Sequence, residues 1–99
     1  MAEHPLTIFE KVDPGLLKLV KETTSFALND GALPKKFKLL IAMALDAAHG
    51  SASGVRSLTL QAMQAGATRE EVMEAVRVAH YIGGAGCVYT AAQAFKEIF

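Results

Sequence analysis

Four side chains that could take part in chemistry surround one short turn, His49-Gly-Ser-Ala-Ser-Gly54: His49, Ser51, Ser53 and Arg56. A histidine can act as an acid or a base near neutral pH. Serines could bind an anion or a water molecule, and an arginine could anchor a carboxylate. Each of these residues also has a purely structural interpretation. The histidine would interact with the helix dipole at the end of its helix, a serine would cap the next helix, and the arginine would be exposed or ion-paired. We favour these structural interpretations for all four.

Three further candidates, His80, Tyr81 and Cys87, lie on either side of Gly83-Gly84. His80 could meet His49 across a helix or subunit contact, and Tyr81 could contact a substrate. Two histidines without a placed carboxylate are a weak metal signal, so we predict no metal and no cofactor. For His80 we favour a partly buried, hydrogen-bonded side chain. Cys87 could be a reactive thiol at a helix N-terminus, but a small buried apolar residue is the favoured interpretation.

The composition indicates a protein that buries surface between subunits. Of the 99 residues, 52% are apolar, against about 45–50% in typical domains on a count that includes glycine. A chain this short cannot hide so much apolar surface alone, which favours a homo-oligomer over a monomer. Ten basic and ten acidic residues cancel, which argues against a nucleic-acid partner.

The expected location is cytoplasmic, with no membrane partner. Residues 1–5 show neither the basic region nor the apolar run of a signal peptide. Apolar runs are far shorter than the roughly 20 residues that span a bilayer. The single cysteine excludes an intrachain disulfide and a cysteine-based zinc site.

The hydrophobic pattern predicts an all-α domain of about five to six helices over residues 1–99, with an N-terminal helical arm (1–30) and a core (31–99). Asp13-Pro14 predicts a helix start. Asn29-Asp30-Gly31 predicts that this helix ends through a left-handed residue. The next helix, from Pro34, is apolar almost all round and is expected to be buried on most sides.

Three more helices follow in the prediction. The first runs from Ser53 to Ala65. Thr68 and Glu71 form a capping box that starts the second, which Gly83-Gly84 interrupts. The last helix is predicted from Ala85 to Phe99.

Several segments in this order resemble the carboxymuconolactone decarboxylase family, which includes the alkylhydroperoxidase D-like proteins. They are Leu33-Pro34-x-Lys36-x-Lys38-x-Leu40-Ile41-x-Met43-Ala44, the Gly50 turn, Ala65-Gly66-Ala67-Thr68-x-Glu70-Glu71 and Gly83-Gly84. The likeness covers roughly residues 30 to 97. It implies a compact helical subunit that assembles into rings, often trimers or hexamers. It also implies either a decarboxylase, which is a lyase, or an alkylhydroperoxide reductase.

The family's redox motif is replaced in this chain. Alkylhydroperoxidase D-like members use Glu-x11-Cys-x2-Cys-x3-His, and those places hold Leu39, Ser51, Gly54 and Leu58. Serine and glycine cannot form a disulfide and leucine carries no proton, so the two-cysteine mechanism cannot run here. The decarboxylase branch does not need the cysteines, although its members commonly keep a histidine at the place of Leu58. For a decarboxylase, Arg56 and the free amides of this turn could bind a carboxylate and stabilise an enolate.

Three hypotheses follow, and whether the chain is an enzyme is left open among them. The first is a family enzyme or binder of a small lactone or carboxylate, with a pocket between helices or subunits near His49, Ser51, Arg56 and His80. The second is a non-catalytic oligomeric scaffold or regulator that has lost the site. The third is a one-cysteine, peroxiredoxin-like antioxidant activity through Cys87.

Overall fold

The computed structural model describes residues 4–99, and this part of the chain contains helices and no strand. A 3-10 turn over Pro5–Ile8 leads into six α-helices. They are α1 (Phe9–Val12), α2 (Pro14–Leu28), α3 (Lys35–Ala48), α4 (Ala52–Gln64), α5 (Arg69–Gly83) and α6 (Ala85–Phe95). The all-α prediction is confirmed.

Two helices begin where local sequence signals predict. The Asp13 carboxylate accepts a hydrogen bond from the Leu16 N–H at 3.0 Å and caps α2. At α5 the Thr68 hydroxyl accepts from the Glu71 N–H at 3.1 Å, and the Glu71 carboxylate accepts from the Thr68 N–H at 2.9 Å. Both capping groups satisfy backbone donors that a helix start leaves free.

Helix α2 does not end as predicted. Asn29 is extended, with φ −64° and ψ 149°, and no residue other than glycine has a positive φ among residues 4–99. The Lys38 ammonium donates to the Asn29 carbonyl oxygen at 2.7 Å, and the Lys35 N–H donates to the Asp30 carboxylate at 2.6 Å. The prediction of a left-handed ending is therefore wrong, because contacts with α3 fix an extended connection.

The core lies between α3, α4, α5 and α6. Small residues let these helices approach closely, and larger apolar side chains fill the space around them. Its fully buried members include Leu39, Met43, Ala47, Val55, Ala62, Val72 and Cys87. Thr59 of α4 is also fully buried, and its hydroxyl has no hydrogen-bond partner.

Helix α3 is less buried than its sequence predicts. One face, which carries Leu39 and Met43, is fully buried, but Phe37, Ile41 and Leu45 are 41%, 50% and 57% exposed. The prediction of burial on most sides is wrong for the isolated chain. Exposed apolar stripes of this size are typical of surfaces that pair with another protein.

Helices α3 and α5 run in the same direction. Near their starts, the Lys36 ammonium lies 3.1 Å from the Glu71 carboxylate. Near their ends, a Cβ placed on Gly83 would lie 3.5 Å from the Cβ of Ala48. The ends of α3 and α5 therefore lie together, beside the starts of α4 and α6. We call this region, residues 46–56 and 80–87, the turn end of the bundle.

Candidate functional site at the start of helix α4

The turn end brings together parts of the chain that are far apart in sequence. A Cβ built on Gly83 would be in van der Waals range of Ala48 there, and the α3–α4 and α5–α6 turns follow these two residues directly. The turn end contains every candidate that the sequence indicates: His49, Ser51, Ser53, Arg56, His80, Tyr81 and Cys87.

Asp46 is the side chain at this end that the sequence analysis missed. It lies in the last turn of α3, is half-buried, and its carboxylate contacts Gly54 in the first turn of α4. A Cβ at position 54 would lie 2.8 Å from the Asp46 Cγ and 2.9 Å from the Ser51 Oγ. The signal that could have found it is simple: Asp46 is the one charged residue between Lys38 and the turn.

Ser51 occupies the N-cap position of α4 but does not cap it with its side chain. No hydrogen bond joins its hydroxyl to the first turn of the helix, so the predicted serine cap is wrong in that respect. Its backbone N–H instead donates to the Asp46 carbonyl oxygen at 2.9 Å. The Asp46 carboxylate is the negative charge at this helix start, where the helix dipole favours it.

The two histidines and Tyr81 face solvent. His49 is the C-cap residue of α3 and is exposed. His80 is also exposed, so the expectation of a partly buried side chain is wrong. Tyr81 is 84% exposed. The rotation of α5 explains this, because Ala79 is the residue of this last turn that points into the core.

Ser53 and Arg56 point away from the core. Ser53 is exposed in the first turn of α4. The Arg56 guanidinium lies 2.9 Å from the Glu97 carboxylate, and both side chains are largely exposed. Arg56 thus matches its structural interpretation as an ion-paired surface residue.

Cys87 is buried at the start of α6. Its side chain is 1% exposed, and its Sγ lies directly against Gly83, where a Cβ would collide with it. A thiol reacts as a nucleophile only when solvent and substrate can reach it. In this conformation Cys87 is a core residue, as the favoured interpretation predicted.

The four places of the redox motif now have a structural description. Leu39 is a core residue at 1% exposure, and Leu58 packs against the core. Ser51 and Gly54 lie at the start of α4, where the Asp46 carboxylate lies against position 54. A cysteine side chain at position 54 would need the space that Asp46 occupies.

Two of the open grooves among residues 4–99 can be described by their lining, and neither is lined by a predicted site residue. One lies between residues 4–10 and α2 and includes Thr7, Leu17 and Lys21. The other lies between α3 and α5 and includes Ile41 and Val78. In residues 4–99 no three His, Cys, Asp or Glu side chains cluster as metal ligands do. None of the described helices has the length and hydropathy of a membrane span.

The fold is that of a small helical protein, and the one thiol at its turn end, Cys87, is buried. In a comparison with known protein families, residues 14–97 match the carboxymuconolactone decarboxylase family, and the chain belongs to that family. The matching range begins at the first residue of α2 and extends past the end of α6.

A solved relative has the same fold. It is the apo crystal structure of a carboxymuconolactone decarboxylase family protein from Legionella pneumophila. The two chains are 37% identical, the match covers 93% of this chain and 85% of that chain, and the TM-score is 0.86. The comparison with curated proteins gave no match.

Proposed function

We propose that this chain is an enzyme or binder of small molecules that acts at the start of α4, in a pocket that a neighbouring subunit completes. The observation that carries the proposal is the Asp46 carboxylate, placed against Gly54 and next to the Ser51 hydroxyl. The half-buried Asp46 carboxylate can accept a proton. The Ser51 hydroxyl, which does not cap the helix, and the amides of the helix start can donate hydrogen bonds.

The charge of Asp46 indicates which ligand group fits there. A ligand carboxylate at the same amides would meet like charge, which is unfavourable. Arg56 is paired with Glu97 and does not offset that charge. A neutral carbonyl, such as that of a lactone, fits better, so between the two ligand classes considered from the sequence we favour the lactone.

The corresponding chemistry is proton transfer next to a carbonyl. The Asp46 carboxylate takes a proton from the carbon adjacent to the lactone carbonyl, and the electron pair of that C–H bond moves onto the carbonyl oxygen. The Ser51 hydroxyl and the amides of the first turn of α4 donate hydrogen bonds to the resulting enolate. Return of the proton to the same or another carbon completes an exchange or isomerisation, without an oxidant or a reductant.

A neighbouring subunit is part of the proposal because the site is open on one side. His49 and Ser53 are exposed beside it, whereas small-molecule sites usually bury most of their ligand. A homo-oligomer would cover this face. The thiol route is not supported, since Cys87 is buried against Gly83.

The test is proton exchange on a simple unsaturated γ-lactone in D2O, followed by NMR. Wild-type protein is expected to speed deuterium incorporation at the carbon next to the carbonyl. Asp46→Asn, which keeps the shape, should lower that rate by about 100-fold or more, while the lactone still shifts the amide resonances of Ser53 and Gly54. Glu22→Gln on α2 is the charge-matched control and should leave the rate unchanged.

Two outcomes would count against this function. An exchange rate that Asp46→Asn leaves unchanged would remove Asp46 from the chemistry. Absence of both exchange and amide shifts would favour the non-catalytic scaffold, which the exposure of His49 and His80 also suits.

A further inference from the structure

A groove that the proposed function does not use lies between residues 4–10 and α2. Asp13 is both the C-cap of α1 and the N-cap of α2, and its φ of −158° and ψ of 79° are not helical. The chain therefore changes direction at Asp13 and leaves a wedge of about 550 Å³ between the two segments. Small-molecule sites commonly have volumes of about 300–1,000 Å³. We call this wedge the N-terminal groove.

The N-terminal groove has an apolar floor and a polar rim. Its floor consists of Leu6, Leu17 and Val20, of which Leu17 is buried and the other two are half-buried. The polar residues of the lining, apart from Thr7, are exposed and form the rim. An apolar group placed on the floor would be removed from water on one side, which favours binding in proportion to the area covered. The floor therefore suits one small aliphatic side chain.

Two opposite charges, those of Glu10 and Lys21, belong to the rim. Both side chains are exposed. Among residues 4–99 the ion pairs of the structure include neither of them, so the two charges share one groove without pairing with each other. A ligand with a single charge would be attracted to one of them and repelled by the other. A ligand that carries both charges can pair with both.

Two uncharged groups of the rim have their hydrogen-bonding roles fixed by the chain itself. The Nδ1 atom of His4 accepts a hydrogen bond from the Leu6 N–H at 3.2 Å. The neutral imidazole therefore carries its hydrogen on Nε2, where it can donate to a ligand. The Thr24 hydroxyl donates to the Val20 carbonyl oxygen at 2.9 Å, so its oxygen is left to accept. The rim thus adds one donor and one acceptor to its two charges.

We propose that the N-terminal groove binds a free amino acid with an aliphatic side chain. Lys21 and the Nε2–H of His4 bind its carboxylate, while Glu10 and the Thr24 oxygen bind its ammonium group. The aliphatic side chain lies on the apolar floor. A simple carboxylate, a simple amine or a neutral hydrocarbon would each leave at least one charge of the rim unpaired.

This site is separate from the chemistry proposed at the start of α4. None of the residues that line the N-terminal groove belongs to the turn end. Asp46→Asn is accordingly expected to leave amino-acid binding unchanged, and a loss of amino-acid binding should leave proton exchange on the lactone unchanged. A failure of one proposal is therefore distinguishable from a failure of the other.

Titration of the isotope-labelled full chain with L-leucine, followed by NMR, tests the proposal. Leucine should shift the amide resonances of Thr7 and Lys21 in a saturable way, with a Kd of about 1 mM because the charges of the rim are exposed. Three control compounds each lack one part of the ligand: glycine the side chain, leucinamide the carboxylate and N-acetylleucine the ammonium group. Glycine should bind at least about 10-fold more weakly than leucine, and the other two about 3- to 5-fold more weakly.

Charge variants give a second measurement. Lys21→Gln and Glu10→Gln should each weaken leucine binding by about 3- to 5-fold, and the double variant by about 10-fold or more. Lys18→Gln is the matched control, because Lys18 is an exposed residue of α2 outside the groove, and it should leave binding unchanged. The proposal is overturned if leucine shifts no amide of the groove, or if N-acetylleucine binds as tightly as leucine. Equal binding by wild type and the double variant would overturn it as well.

Discussion

The carboxylate of Asp46 occupies the space that a side chain at position 54 would need, so this arrangement requires glycine there. Gly54 is the place of the second cysteine in the family's redox motif. The loss of that thiol and the position of Asp46 are therefore two aspects of one local structure. The Asp46 carboxylate lies where a side chain at position 54 would be placed.

Gly54→Ala should destabilise the protein by about 1 kcal/mol, because the added Cβ displaces the Asp46 carboxylate from the helix start. In an Asp46→Ala background the same change should cost less, because only the Ser51 hydroxyl, 2.9 Å from the added Cβ, must then rotate away. Urea unfolding of the four proteins in this cycle measures both values.

Gly86→Ala is the matched control for that cycle. Gly86 also lies in the first turn of a helix, but nothing stands within 4 Å of a Cβ built there. Alanine should stabilise at this position with or without Asp46. If Gly54→Ala behaved as Gly86→Ala does in the wild-type background, the Asp46–Gly54 contact would have no energetic importance.

The Cys87 thiol should react slowly in the native protein. Its side chain is 1% exposed against Gly83, so reagent reaches it only after local opening. Reaction with a chromogenic disulfide is expected to be at least about 100-fold slower in buffer than in urea. Val78→Cys with Cys87→Ala provides an exposed thiol and should react at once. Rapid, complete labelling of native Cys87 would revive the one-cysteine antioxidant hypothesis.

The parts of the fold that rest on neighbouring residues were predictable from the sequence. Asp13 caps α2, and Thr68 with Glu71 starts α5, because each signal acts within one helical turn. The end of α2 was not predictable in this way. Its conformation depends on Lys38, nine residues later in the chain, which fixes Asn29 as extended.

The site was less predictable, because its contacts cross between helices. The Asp46 carboxylate contacts Gly54 on the other side of a turn, and Arg56 pairs with Glu97 in the turn that follows α6. No periodicity in the sequence indicates either contact. The burial of Cys87 was the favoured interpretation, since a free cysteine usually behaves as a small apolar residue. His80 was expected to be partly buried, and a small rotation of α5 is enough to expose it.

Thr59→Val should stabilise the protein. Thr59 is fully buried in α4, and its hydroxyl has no hydrogen-bond partner. Valine has the same shape without the unpaired polar group, so the expected gain is about 1–2 kcal/mol. Thermal and urea unfolding measure it. Thr23→Val is the control, because that hydroxyl donates to the Leu19 carbonyl oxygen at 2.9 Å on the exposed α2. A loss of stability in Thr59→Val would show that the hydroxyl has a partner, such as a buried water.

The capping box of α5 should make stability depend on pH in acid. The pKa of Glu71 lies below its ordinary value of 4.5, first because the Thr68 backbone N–H donates to the carboxylate and second because Lys36 does. The folded state therefore favours the ionised carboxylate. This contribution is fully present above pH 4.5 and is lost as the pH falls through the lowered pKa.

Glu71→Gln isolates that contribution, because glutamine can still accept the hydrogen bond from the Thr68 N–H but does not ionise. Wild-type stability should fall more steeply below pH 4.5 than that of Glu71→Gln, in urea titrations at a series of pH values. Glu70→Gln, which removes one charge from the same turn, is the control. Equal slopes in wild type and Glu71→Gln would mean that Glu71 binds its proton equally well in the folded and unfolded chains. The contacts with Thr68 and Lys36 would then contribute nothing to stability in acid.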